Sequence, residues 1–144
     1  MNTADDAIVN SRLIDHPRER VFEAFSNPEQ IAKWWGPEGF SNTFEIFEFR
    51  PGGEWKFVMH GPNGTDYPNE SRFVEIVEPE RIVFDHSGPD FHMIMTFGEE
   101  DGKTRLTWNM RFADRTQSEK LRDFLNQANQ QNFDRLEAVL DASH

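Results

Sequence analysis

The 144-residue chain contains no cysteine. Disulfides, thiol nucleophiles and cysteine-based zinc sites are therefore excluded. Positive charge is scarce: Lys and Arg total 15 against 26 Asp and Glu, a formal net charge of −11 with histidine neutral. Without a basic stripe to meet phosphates, neither nucleic acid nor an anionic membrane surface is expected as a partner. No apolar run approaches the roughly 20 residues of a membrane span. The polar opening MNTADDAIVNSR lacks the basic-then-apolar order of a secretory signal, so a cytoplasmic location is expected. The sequons Asn63-Gly64-Thr65 and Asn69-Glu70-Ser71 then read as coincidences.

Catalytic signatures are thin. There is no Gly-x-Ser-x-Gly motif, and Ser26, Ser41, Ser71, Ser87, Ser118 and Ser143 read as turn or end residues with no base beside them. The Gly-containing stretches RPGG and GPNG are turn chemistry, with no phosphate-binding loop. His16, His60, His86, His92 and His144 show no metal-ligand spacing. His86 and His92 flank a loop with Asp85 and Asp90 nearby, but strand residues of opposite parity point apart. No metal and no cofactor is expected. Of the carboxylates Glu45, Glu75 and Asp85, Glu45 shares parity with Phe47 and Phe49, which would carry it into an apolar interior, but a strand-end carboxylate at the sheet rim is the favoured reading. Arg72 and Arg105 are the expected salt-bridge partners on neighbouring strands.

What the chain does have is rings. Fourteen Phe and four Trp stand against one Tyr, in a chain only 36% hydrophobic. Their spacing sets the elements. AIVNSRLID (7–15) reads as a strand, followed by a helix from Pro17 to about Asn27 and a shorter one opened by Pro28 and stopped by Gly36-Pro37. From Thr43 the period becomes two, through FEIFEFR, EWKFVMH, ESRFVEIVE, PERIVFDH, FHMIMTFGE and TRLTWNMRF, with Asn-Gly and Asp-Gly turn signals at 63–64 and 101–102. Residues 116–141 carry Leu121, Phe124, Leu125, Ala128, Asn132, Leu136 and Val139 on one helical stripe.

This order predicts an α+β fold in a single domain over 1–144. A curved antiparallel sheet of six to seven strands wraps round one long C-terminal helix, and the two short helices close one end. Inward strand positions by parity are Phe47, Phe49, Trp55, Phe57, Met59, Phe73, Met93, Met95, Phe97, Leu106, Trp108 and Met110. A sheet curved round a helix leaves room for a cavity. The polar run NQANQQN in mid-helix places Asn132, with Asn129 or Gln131 beside it, opposite aromatic strands. Trp35, Trp55, Phe57, Met59, Phe73, Met95, Trp108, Phe124, Ala128 and Asn132 are the expected wall of a site for a small apolar or aromatic molecule, with Asn132 orienting it. In the double tryptophan, about one hundred degrees of helical rotation separates the neighbours. Trp34 is expected in the core and Trp35 at the cavity mouth.

HPRERVFEAFSNPEQIAKWWGPEGF, the RPGG turn, EIVEPERIVF and GKTRLTW together resemble the homologues of the activator of the ninety-kilodalton heat-shock chaperone's ATPase. That family lies in the START-like, SRPBCC or helix-grip superfamily, and the resemblance runs from about Ile8 to Leu140. It implies a helix-grip fold with a cavity between helix and sheet. Similar chains often carry Gly-Trp in the last helix where this one has Ala128-Asn129. Three functions follow as expectations. The first is a cofactor-free binder of a small hydrophobic molecule. The second is a cyclase- or hydrolase-type enzyme using Glu45 or His86. The third is a chaperone-partner or stress-response module, although direct chaperone activation is not expected to carry over. A homodimer is left open.

Overall fold

The computed structural model describes residues 7–88 and 90–142; the acidic opening, Ser143 and His144 lie outside the described residues. The elements run β1 (Ile8–Ile14), α1 (Arg18–Ser26), α2 (Pro28–Trp34), β2 (Ser41–Phe47), β3 (Glu54–His60), β4 (Asp66–Val77), β5 (Arg81–Ser87), β6 (Phe91–Glu100), β7 (Lys103–Phe112) and α3 (Arg115–Ala142). All strands join one antiparallel sheet in the order β1-β7-β6-β5-β4-β3-β2. The successive strands β1 and β2 thus sit at opposite edges. The α1–α2 segment must cross between them, which places the two short helices over one end of the curved sheet.

Local chemistry accounts for the boundaries. Asn27 caps α2, its side-chain oxygen accepting from the N–H groups of Glu29 at 2.9 Å and Gln30 at 3.4 Å, and Pro28 follows in the first turn. The helix stops at Trp35, whose ψ of 129° is extended, ahead of Gly36 at φ 105°. The β6–β7 hairpin turns on Asp101 (φ 53°) and Gly102 (φ 79°), the left-handed pair that matches strand twist. In the β2–β3 turn a Cβ on Gly53 would lie 2.0 Å from the Glu48 carbonyl oxygen, so only glycine fits.

The period-two reading holds in β3, β6 and β7: Trp55, Phe57, Met93, Met95, Phe97, Leu106, Trp108 and Met110 are all buried on the concave face. It breaks in two places. The β2–β3 register shifts between Phe44 and Ile46, and the β4–β5 register between Phe73 and Glu75. A bulge inserts one residue and reverses parity beyond it. Phe44 therefore faces inward with Phe47, its ring 5.8 Å from Trp55 and 5.3 Å from Phe57. β4 also begins earlier than its residue preferences predict, at Asp66, because pairing with His60 of β3 carries the ladder outward.

α1 buries Val21, Phe22, Ala24 and Phe25. Phe22 and Phe25 meet Phe97 edge-on at 5.2 and 4.9 Å, so aromatic packing fills this end of the trough. α3 crosses the rest. It buries Ala128, Asn129, Asn132, Phe133, Leu136 and Leu140. Phe133 and Leu140 lie outside the stripe read from sequence, while Val139 is half-buried and Phe124 is 61% exposed. Arg12 of β1 ties this helix down, bonding Asp134 and Glu137 at 2.6 Å and Gln130 at 2.8 Å. Burial opposes charge on Arg12, but those two carboxylates outweigh it and hold the guanidinium above its ordinary value. Among the described residues no helix is long and apolar enough to cross a membrane.

Candidate functional site

The site begins at the end of α2. Trp34 is fully buried, its indole N–H donating to the Ala24 carbonyl at 3.0 Å and its ring edge-on to Phe25 at 4.7 Å. Trp35 turns the other way. Its ring centroid lies 5.0 Å from Trp55, 5.3 Å from Trp108 and 6.3 Å from Phe84. Trp35 is only half-buried and lines the cavity against these rings. The two neighbours still divide as core and wall.

Between α3 and the concave sheet lies a cavity of 550 Å³. Of the residues named from the sequence, Trp35, Trp55, Phe57, Met59, Trp108, Phe124, Ala128 and Asn132 line it. Phe73 and Met95 are not among the lining residues. Phe73 is stacked on Trp55 at 5.7 Å and packed edge-on to Phe49 at 5.2 Å, while Met95 is 1% exposed within the core. Both lie on the concave face as parity requires. The packed aromatic cluster covers them, and parity does not distinguish packed from open parts of that face. Residues that the sequence reading passed over also contribute, among them Phe84, Phe91, Met93, Phe112, Leu121 and Asn129. Phe124 at 61% and Tyr67 at 44% exposure flank the opening.

The helix amides do other work than the sequence reading assigned. Asn132 donates to the Trp34 carbonyl at 2.8 Å and accepts from the Gly36 N–H at 3.3 Å. Its amide is thus a strut between α3 and the end of α2. Gln131 accepts from the Glu38 N–H at 3.1 Å. Asn129 donates to Asn10 at 2.9 Å and to the Met110 sulfur at 3.5 Å. One helical turn beyond the amides, Arg135 reaches the carbonyls of Lys33, Gly36 and Phe40 at 2.9 Å, Pro37 at 3.0 Å and Trp35 at 3.5 Å. Burial lowers this guanidinium from its ordinary value, with Glu38 partly offsetting it. The cation sits where a helix C-terminus gathers negative dipole, and it fixes the Gly36–Phe40 segment at the cavity wall. Glycine is favoured there by its φ of 105°, which L side chains rarely adopt, and a Cβ would also press the flexible Met59 methyl at 2.7 Å.

Titratable groups sort clearly. Glu45 is exposed, because the bulge beside it turns it away from the interior that its parity predicted. Glu75 pairs with Arg81 at 2.6 Å, Arg105 with Glu100 at 3.1 Å, and Arg72 donates to the Gly52 carbonyl, so the expected pairings of Arg72 and Arg105 are not the observed ones. Asp85 pairs with His92 at 2.6 Å on the outer face. No cluster of three potential metal ligands occurs among the described residues.

His86 does reach the cavity, stacked on Phe91 at 4.5 Å with Nε2 2.8 Å from the Asn69 side-chain oxygen. Ser71, expected in a turn or end, stands within β4 directly opposite His86 and lines the same cavity. Its parity with Phe73 was the signal that placed it inward. Ser71 Oγ, Trp55 Nε1 and Trp108 Nε1 are buried with no hydrogen-bond partner in the protein.

Solved structures share this architecture along nearly the whole chain. A protein of Arthrobacter aurescens is 24% identical, covers 99% of this chain and 90% of its own, and aligns with a TM-score of 0.89. One from Chromobacterium violaceum is 24% identical over 95% of this chain and 98% of its own, with a TM-score of 0.86. The AHSA1 protein of Silicibacter pomeroyi is 21% identical over 96% and 99%, with a TM-score of 0.79. These likenesses establish the helix-grip fold. No curated protein matches. Residues 15–141 match the family described as Activator of Hsp90 ATPase homolog 1-like protein, and the chain belongs to that family.

Proposed function

We propose that the protein binds one small, largely apolar or aromatic molecule in the cavity beneath α3. The observation carrying this reading is that rings and methionines wall 550 Å³ of space instead of filling it. That volume suits a ligand of a few rings, and its apolar surface would contribute about 25 cal/mol per Å² buried. Flat π-faces on Trp35, Trp55 and Trp108 favour ring-bearing ligands. The test is a thermal-shift panel of naphthalene derivatives, fatty acids and sterols. A probe at a hundred times its dissociation constant adds about 2.7 kcal/mol to stability, which a melting curve reads easily. If no probe moves the transition, the binding reading fails.

His86 in the cavity wall favours a second reading, proton transfer to or from a bound molecule. Cleavage of p-nitrophenyl butyrate that disappears in His86→Phe would support it, and cleavage unchanged by that substitution would remove it.

A further inference from the structure

Trp55, Ser71 and His86 are consecutive cross-strand neighbours on β3, β4 and β5, with Trp55 opposite Ser71 and Ser71 opposite His86. Neighbouring strands are about 4.8 Å apart, so the three side chains form one row across the concave face, and all three line the cavity. Two of them carry polar atoms that bond to nothing in the protein, Ser71 Oγ and Trp55 Nε1. Buried polar groups are rarely left unpaired, because each forfeits its hydrogen bonds to water. Among the described residues four buried side-chain atoms are so orphaned, and only Asn42 Oδ1 belongs to a residue outside the cavity wall. Three of the four therefore belong to residues of one cavity wall, each atom itself covered by its neighbours.

We infer that the ligand carries a hydrogen-bond-accepting oxygen on an otherwise apolar body, and that this oxygen seats on the Trp55–Ser71–His86 row, with Ser71 as its principal donor. The inference rests on the binding reading above and narrows its ligand class. An indole N–H can only donate, and a serine hydroxyl donates or accepts; a carbonyl or carboxylate oxygen answers both. Ser71 presents its oxygen by rotation about one staggered torsion. Nearby, the Asn69 side chain already engages His86 Nε2 at 2.8 Å, which holds the imidazole in place at the polar end of the row. The apolar body then lies against Trp35, Phe84 and Trp108.

Two nearly isosteric probes test this, 2-acetylnaphthalene and 2-isopropylnaphthalene, titrated into the protein by two-dimensional NMR. The wild-type protein is expected to bind the ketone about three- to tenfold more tightly, the worth of one hydrogen bond. Ser71→Ala is expected to erase the preference. Ser118→Ala, a buried serine already bonded to the Arg115 carbonyl, should keep it. Equal affinity for both probes in the wild-type protein overturns the inference and leaves the binding reading standing, and this result does not depend on any variant folding. A preference that survives Ser71→Ala in a folded protein also overturns it. Failure of both probes to bind also overturns it, while the binding reading is decided by the wider thermal-shift panel.

Discussion

The two halves of α3 are one unbroken helix with two different duties. From Ala128 onward it grips: Asn132, Phe133, Leu136 and Leu140 are buried, Arg135 is bound to five carbonyls, and Arg12 ties its outer side to β1. From Arg115 to Gln127 it buries only Ser118, and Leu121, Phe124 and Leu125 face the cavity instead of the sheet. A helix of fixed period therefore has its buried face interrupted by what lies opposite, and not by its own sequence. The same division separates Trp34 from Trp35. The fold is stabilised from one side of the trough, which leaves the other side able to remain open.

This comparison can be broken by substitution, with stability read from urea unfolding. The largest loss is expected from Trp34→Ala, about 3–5 kcal/mol, with Trp35→Ala costing distinctly less and chiefly altering probe binding. Equal losses would show that both rings are core. Leu136→Ala should follow at about 2–5 kcal/mol, while Leu121→Ala in the spanning half should cost under about 1 kcal/mol. Arg135→Leu removes the donor from five carbonyls that the fold has gathered, and about 1–3 kcal/mol is expected. The smallest effect is Phe124→Ser, within about 0.5 kcal/mol of the wild type because the ring is 61% exposed, with weaker naphthalene binding as its signature. Hydrogen exchange sharpens the contrast without mutation: amides of 119–127 should exchange faster than those of 129–140. Uniform protection along α3 would abolish the distinction.

Much of this was legible from residue order. Runs such as EWKFVMH and TRLTWNMRF alternate cleanly, so Trp55, Phe57, Leu106 and Trp108 declared their face. The bulges at Phe44/Ile46 and Phe73/Glu75 were not legible, because an inserted residue leaves no compositional mark and only cross-strand pairing reveals it; that is why parity alone turns Glu45 inward, while the rim reading of this carboxylate agrees with its exposure. Asn132 could be placed on the inner face of α3, but its partners Trp34 and Gly36 lie 98 and 96 residues away. No local pattern announces a bond of that range. Phe73 and Met95 were assigned the right face and the wrong surroundings, since whether rings or space cover a position is a property of the assembled trough.

The Arg135 clamp also bears on the order in which the chain is made. The carbonyls from Lys33 to Phe40 are synthesised 95 to 102 residues before the cation that gathers them. Closing so long a loop costs only slightly more than closing a shorter one, so the delay is temporal more than energetic. While residue 135 is still inside the ribosome, the carbonyls of Lys33, Gly36 and Phe40 lack its guanidinium, and the wall carrying Trp35 is held at this end by the Asn42 amide on the Trp35 carbonyl at 2.8 Å and the Phe40 N–H on the Pro37 carbonyl at 3.2 Å. A chain stalled before Arg135 is expected to show solvent-exposed tryptophan emission, and one released beyond α3 to show it shifted to the blue. The cavity is then a product of α3, and no ligand meets a finished wall before that helix arrives.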